Sequence, residues 1–255
     1  MEGSTAHLTA AERGCTTLVA ALLAAGAALE AEGNNGLRAL HLAAANGNAS
    51  TVEALLAASA ELEAEAQNGW RALHHAAQNG HTTTVEALLA AGAALEAEAD
   101  GGLRALHLAA ANGHATTMEA LLAAGAALEA EDNDGGRALH LAAAKGHGPV
   151  LDKLIAAGAE LKASTKGGMS ALQLAVSGGR LGAVYAIWAA GGAPSFGSRR
   201  MSFVVLKYSF AVVLWVLLYF VPSWCYFYFY PKKEMTICED PRNAWVCSLL
   251  KEYSL

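Results

Sequence analysis

The chain has 255 residues, 54% of them apolar, and a formal charge of −6. Length and apolar content suffice for one sizeable core or an elongated array, and they exclude a wholly disordered polymer. The charge divides unevenly: residues 1–198 hold 10 basic and 19 acidic side chains, the remainder 7 and 4, so an acidic body precedes a basic tail. An acidic body repels phosphate backbones and no basic stripe runs through it, which argues against nucleic acid as a partner. None of the 4 cysteines forms a Cys-x-x-Cys pair, so neither a disulfide framework nor a zinc site is readable. The opening MEGSTAHLTA lacks a basic start followed by an apolar run, so no secretory signal is expected and the body is expected in the cytoplasm.

Glycines recur at Gly3, Gly36, Gly69, Gly102, Gly135 and Gly168, and again at Gly14, Gly47, Gly80, Gly113, Gly146 and Gly179, both with a period of 33. This register divides residues 3–194 into units 3–35, 36–68, 69–101, 102–134, 135–167 and 168–194. In the second unit, apolar residues at helical spacing predict one helix over 39–46 and another over 51–58. A glycine such as Gly47 between them can take the left-handed backbone that folds the pair antiparallel. After the second helix, Asn35-Gly36, Asn68-Gly69, Gly101-Gly102 and Asp134-Gly135 supply positive backbone angles for tight hairpin turns, so a β-hairpin finger is expected between pairs.

The strings GLRALHLAAANG, GWRALHHAAQNG and GGRALHLAAAKG, each followed in register by segments such as TVEALLAA and AGA, resemble the ankyrin repeat family over about three quarters of the chain. The resemblance implies an all-α solenoid of stacked helix pairs with short hairpin fingers, acting as a protein-binding module whose finger tips face a concave groove. The chain departs from the family pattern where Thr-Pro usually opens the first helix: Arg38, Arg71, Arg104 and Arg137 stand there, each followed by Ala. Only the terminal units keep Thr5 and Ser170. Arginine cannot accept a hydrogen bond from a free helix amide and adds positive charge at the positive dipole end, so these helix starts are expected to be weak.

Paired glutamates, Glu30 and Glu32, Glu63 and Glu65, Glu96 and Glu98, Glu129 and Glu131, precede those arginines. Either they offset the arginines in a repeating ladder, or both rows simply solvate the surface. Alanine fills most inward positions, which leaves stability to Leu55, Leu56, Leu88, Leu89, Leu121 and Leu122. The first and last units carry Leu8 and Gln173 where the others carry His, as terminal caps would.

His41, His74, His107 and His140 recur once per unit, and stacked repeats hold such residues about 10 Å apart. Zinc needs its ligands about 2 Å from one ion, so no metal site is expected. The resemblance makes this histidine a structural hydrogen-bonding residue, and His81, His114 and His147 read as loop residues. Every polar feature is multiplied by the repeat, whereas a nucleophile, base and orienting acid must converge once; no catalytic residue, cofactor or phosphate loop is read.

What varies between copied units is the finger. Leu37, Trp70, Leu103 and Gly136 follow the turn, and Asn34, Gln67, Asp100 and Asn133 precede it. Of these, Leu37, Trp70, Leu103, Gln67, Asp100 and Asn133 are the candidate protein-binding residues, joined by His75 and Gln78, which break the repeat pattern in the third unit. Trp70 leads because a partly exposed tryptophan buries a large area in a partner. Packing of Trp70 on its own neighbours is the competing reading.

Beyond a linker at 195–200, residues 201–230 carry the single charge Lys207 and suffice to span a bilayer. Arg199 and Arg200 flank one side, Lys232 and Lys233 the other, ahead of a short polar tail at 231–255. A buried or interfacial apolar segment, or translation of non-coding sequence, would account for the same composition. The expectation is a non-catalytic scaffold binding another protein, tethered to a membrane through 201–230. The alternative is the regulatory ankyrin-bearing part of a larger enzyme or channel.

Overall fold

A computed structural model describes residues 2–191, with residues 2–5 described by their backbone alone. The last residues of the expected array, the linker, the apolar segment 201–230 and the polar tail lie outside the described residues. Within them run α1 (Glu2–Glu12), α2 (Thr16–Ala24), α3 (Ala39–Ala45), α4 (Ala49–Ala57), α5 (Ala72–Gln78), α6 (Thr82–Ala90), α7 (Ala105–Asn112), α8 (Ala115–Ala123), α9 (Ala138–Lys145), α10 (Gly148–Ala156), α11 (Ala171–Ser177) and α12 (Leu181–Ala189). Odd-numbered helices pack on their odd-numbered neighbours and even on even, so antiparallel pairs stack in two layers. The layers meet in a continuous core.

Local chemistry explains the tight corner inside each pair. Gly47 sits at φ +75, and a Cβ there would meet the His81 ring at 2.5 Å, so glycine is required twice over. That ring belongs to the next unit, and its Nε2 donates to the carbonyl of Ala45 at 3.0 Å. His114 donates likewise to Gln78 and His147 to Ala111, both at 2.9 Å. Asn48 does the same for Ala11 at 3.0 Å. Residues that read as loop histidines therefore cap the C-terminus of the preceding unit's first helix, satisfying carbonyls that helix geometry leaves open. The second helix also starts earlier than its apolar spacing suggests, at Ala49 rather than Thr51.

Inward alanines such as Ala43, Ala44, Ala76 and Ala77 are fully buried, which lets neighbouring helices approach closely. Leu55, Leu88 and Leu121 are fully buried as expected, but Leu56, Leu89 and Leu122 pack only partly buried at the margin of the core. Val52, Val85, Met118 and Leu151, three residues ahead of that leucine row, share the interior instead. Positions three apart share a helix face, whereas adjacent ones do not.

The repeat also exposes its own defects. His7 occupies the position held by Leu40, Leu73, Leu106, Leu139 and Leu172 in the other units; its side chain is fully buried and neither ring nitrogen has a hydrogen-bond partner. An unsatisfied buried polar group costs about 1–3 kcal/mol, so His7→Leu is expected to raise unfolding stability by that order, read from urea denaturation. Ser59 holds φ +69 where Gly26, Gly92, Gly125 and Gly158 stand elsewhere. Relief of that left-handed strain in Ser59→Gly should raise stability by about 1 kcal/mol, and a lowered melting temperature would refute this.

A third defect is in the threonine ladder. Thr16 pairs with Thr51 at 2.8 Å and Thr82 with Thr117 at 2.9 Å. Thr84 is buried with its hydroxyl unpaired because its partner position holds Ala49. Ala49→Thr should therefore stabilise the protein by about 1 kcal/mol, and the gain should vanish in an Ala49→Thr/Thr84→Val background.

The last unit is not a polar cap. Leu181, Tyr185 and Trp188 on α12 are 56%, 70% and 58% exposed. Trp188 falls on the row of Leu56, Leu89, Leu122 and Ile155, each of which packs against the core.

Candidate interaction surface

The fingers are tight turns rather than two-stranded ribbons, since each is closed by a narrow backbone link that is too short for strands. Gly33 N–H donates to Leu37 at 2.8 Å, Ala66 to Trp70 at 2.8 Å and Ala99 to Leu103 at 2.9 Å. At the tips both central residues take positive φ: Asn35 and Gly36 at 60 and 69, Asn68 and Gly69 at 69 and 68, Gly101 and Gly102 at 80 and 70. The fourth finger differs, for only Gly135 is left-handed there, at φ 71. Asp132 organises it by accepting the N–H groups of Asp134 at 2.9 Å and Gly136 at 2.6 Å. A Cβ at Gly136 would meet that carboxylate at 2.5 Å, which explains the missing tip side chain.

Below the tips, the arginine and glutamate rows form a ladder. Arg38 reaches Glu30, Glu32 and Glu61 at 2.9, 3.3 and 2.5 Å, and Arg71 reaches Glu63 and Glu65 at 2.9 and 2.8 Å. Arg104 holds Glu96 and Glu98, both at 2.8 Å, while Arg137 holds Glu129, Glu131 and Glu160 at 2.5, 3.0 and 2.8 Å. The first glutamate of each pair uses its second oxygen on the next unit: Glu30 accepts the Glu61 N–H at 2.9 Å, Glu63 that of Ala94, Glu96 that of Ala127 (both 2.8 Å) and Glu129 that of Glu160 at 2.9 Å. Offsetting, not mere solvation, is thus the role of the two rows. A carboxylate fixed at both oxygens forms charge-assisted bonds stronger than an exposed ion pair.

Helix starts opened by arginine are rescued by the recurring histidine. His41 Nδ1 accepts the Arg38 N–H at 3.0 Å, so its Nε2 carries the proton and donates to the carbonyl of Ala64 at 2.9 Å. The same pair of bonds recurs at His74, His107 and His140. Guanidinium has no acceptor, so only this half of a capping box forms. Ser170 and Gln173 complete both halves, at 3.3 and 2.9 Å. Burial pushes the four imidazoles below their ordinary range, opposed in part by the carbonyl each one faces.

His75 is pushed down to about 4, first by burial and then by neighbouring His41 and His74. Trp70 packs on its ring, tilted, at a centroid distance of 5.1 Å, and His41 meets it edge-on at 5.7 Å. Trp70 therefore packs on its own neighbours, the competing reading, and is half-buried. Leu37, Gln67, Trp70 and His75, with Asn35 and Asn68, line one open cleft of about 180 Å³ between the first two fingers. The structure does not bring Leu103, Asp100, Asn133 or Gln78 to it. Leu103 is half-buried, Asp100 and Asn133 are exposed further along, and Gln78 lies at the C-terminal end of α5. Sequence reading missed Asn35 and Asn68 as cleft residues because it assigned them to turn geometry alone.

Among the described residues no group of His, Cys, Asp and Glu is arranged to hold a metal ion, and no helix is long and apolar enough to cross a membrane. Stacked helix pairs joined by projecting, individually varied turns define a repeat solenoid. A family model described as ankyrin repeats in three copies matches residues 2–66, 57–132 and 106–193, and the chain belongs to the ankyrin repeat family. No curated protein matches it. Ankyrin repeats are generally modules for protein–protein interaction.

Proposed function

We propose that the protein is a non-catalytic scaffold that grips another protein with its fingers, through Leu37, Trp70 and Leu103 as apolar contacts and Gln67, Asp100, Asn133, His75 and Gln78 as polar ones. The observation that carries this reading is Trp70, a half-buried tryptophan that lines an open cleft on the most individual of the fingers. Tryptophan truncations are among the costliest at protein interfaces. The apolar composition of 201–230 supports a membrane tether for this scaffold, with its acidic body in the cytoplasm.

The test is a photo-crosslinking amino acid placed at 37, 70 or 103 in the full chain, compared with one at Glu53, an exposed position on α4. Discrete adducts from the finger positions alone are the expected result. Equal labelling from position 53, or none from any finger, would overturn the reading. Carbonate extraction of the full chain checks the tether, which is refuted if the protein leaves the membrane pellet.

A further inference from the structure

We infer that the cleft between the first two fingers takes an arginine side chain from an extended, basic segment of the partner; this rests on the scaffold reading above and names the partner's chemistry. The floor and walls come first. Trp70 offers a half-buried indole, Leu37 an apolar edge, and Asn35, Gln67 and Asn68 side-chain amides whose carbonyl oxygens accept hydrogen bonds. His75 also lines the cleft, and its Nε2 is buried with no hydrogen-bond partner. A group that is planar, rich in donors, able to stack on indole and content beside apolar surface matches all of these at once. Guanidinium is that group.

Charge around the cleft selects the same occupant. Along the finger bases ten carboxylates face four guanidiniums. Asp100 on the next finger adds to the excess and is exposed. Arg38 and Arg71, the nearest cations on the row, are each already clasped by carboxylates, so they do not present a free positive charge to an incoming one. Lys162 and Lys166 belong to the last finger, beyond Asp132 and Asp134. A surface of this sign attracts a basic chain and rejects an acidic one, and long-range attraction raises the encounter rate. An extended segment suits a row of separate finger tips, because successive basic residues can meet successive acidic bases.

The experiment measures fluorescence anisotropy of three labelled octapeptides against the full chain in detergent: alternating Arg and Ser, the same peptide with citrulline for arginine, and the same with glutamate. Citrulline keeps the planar shape but loses the charge, and one donor nitrogen becomes a carbonyl acceptor. The arginine peptide is expected to bind at least about tenfold more tightly than the citrulline peptide, to weaken as salt rises, and to weaken about tenfold in Trp70→Leu, which keeps an apolar side chain but removes the indole face. Melting of Trp70→Leu close to that of the parent chain confirms that the cleft, not the fold, was altered; should this variant unfold, Gln67→Glu and Gln67→Leu read the same cleft from its rim, the first tightening and the second weakening the arginine peptide.

Equal binding of arginine and citrulline peptides overturns the inference, as does arginine binding that ignores these cleft substitutions. Cleft-dependent binding of the citrulline or glutamate peptide would overturn the basic partner while leaving the fingers as an interaction surface. Failure of the finger crosslinks described above would remove that surface itself.

Discussion

His107→Ala is expected to lower the free energy of unfolding by about 3–4 kcal/mol. The imidazole is fully buried, and both nitrogens are used: Nδ1 accepts the Arg104 N–H at 3.1 Å and Nε2 donates to the Ala130 carbonyl at 2.9 Å. Removing it leaves a helix-start amide and a finger carbonyl without partners, and adds a cavity. His107→Gln should lose only part of this, because Gln173 in the last unit shows that a glutamine at this place can accept the amide of the first cap residue, at 2.9 Å. Urea titration with tyrosine and tryptophan fluorescence measures both. If alanine and glutamine prove equal, the paired-bond account fails.

Acidification is the second large effect. The folded state holds His41, His74, His75, His107 and His140 below their ordinary range, so each stays neutral where the unfolded chain is already protonated. A depressed folded pKa on a base gives stability that is fully present above the unfolded value of about 6.5 and is lost as pH falls below it. For His75, with its folded value at about 4, the loss between pH 6.5 and 4 is on the order of 3 kcal/mol. The other four act in the same direction, and protonation of Nδ1 in any of them also ejects the arginine amide that it accepts. Melting temperature should therefore be flat above pH 7 and fall steeply from pH 6.5 downwards. His75→Leu, with one fewer titrating ring, should flatten the slope; an unchanged slope would refute the assignment.

The fold was largely legible because every local signal is repeated. One left-handed glycine is weak evidence of a helix pair, but the series from Gly14 to Gly179 places six corners in register. What the sequence could not show is anything set by the offset between stacked units. That Glu63 would reach the Ala94 amide, 31 positions on, or that His114 would reach back to Gln78, depends on how far one pair slides over the next. Periodicity reports neither the slide nor the tilt. The expectation of weak arginine-opened helices weighed the cap residue alone: the arginine side chains accept no helix amide, as read, but His41 and its equivalents take the arginine N–H and the preceding finger's glutamates offset the guanidinium charge.

At the candidate site, legibility was uneven. Trp70 stood out as the one aromatic finger residue, and its cleft includes Leu37, Gln67 and His75. Asp100, Asn133 and Leu103 were chosen by variation alone, and variation along a solenoid does not reveal which neighbouring turns converge. The turn closed by Asp132 was itself open to reading, since an Asp four residues before a glycine can close its own turn with its side chain.

Glutamates that clasp an arginine with one oxygen and the following unit's amide with the other have a bearing on how the array comes apart. In a linear stack described by intrinsic and nearest-neighbour terms, such bridges place much of the favourable energy in the neighbour term. Units of short alanine-rich helices are poor on their own, so the boundary between a folded and an unfolded unit is costly wherever it falls. The array should therefore melt as one block rather than fray from its ends, and a partner gripping the first two fingers would stiffen units that it never touches.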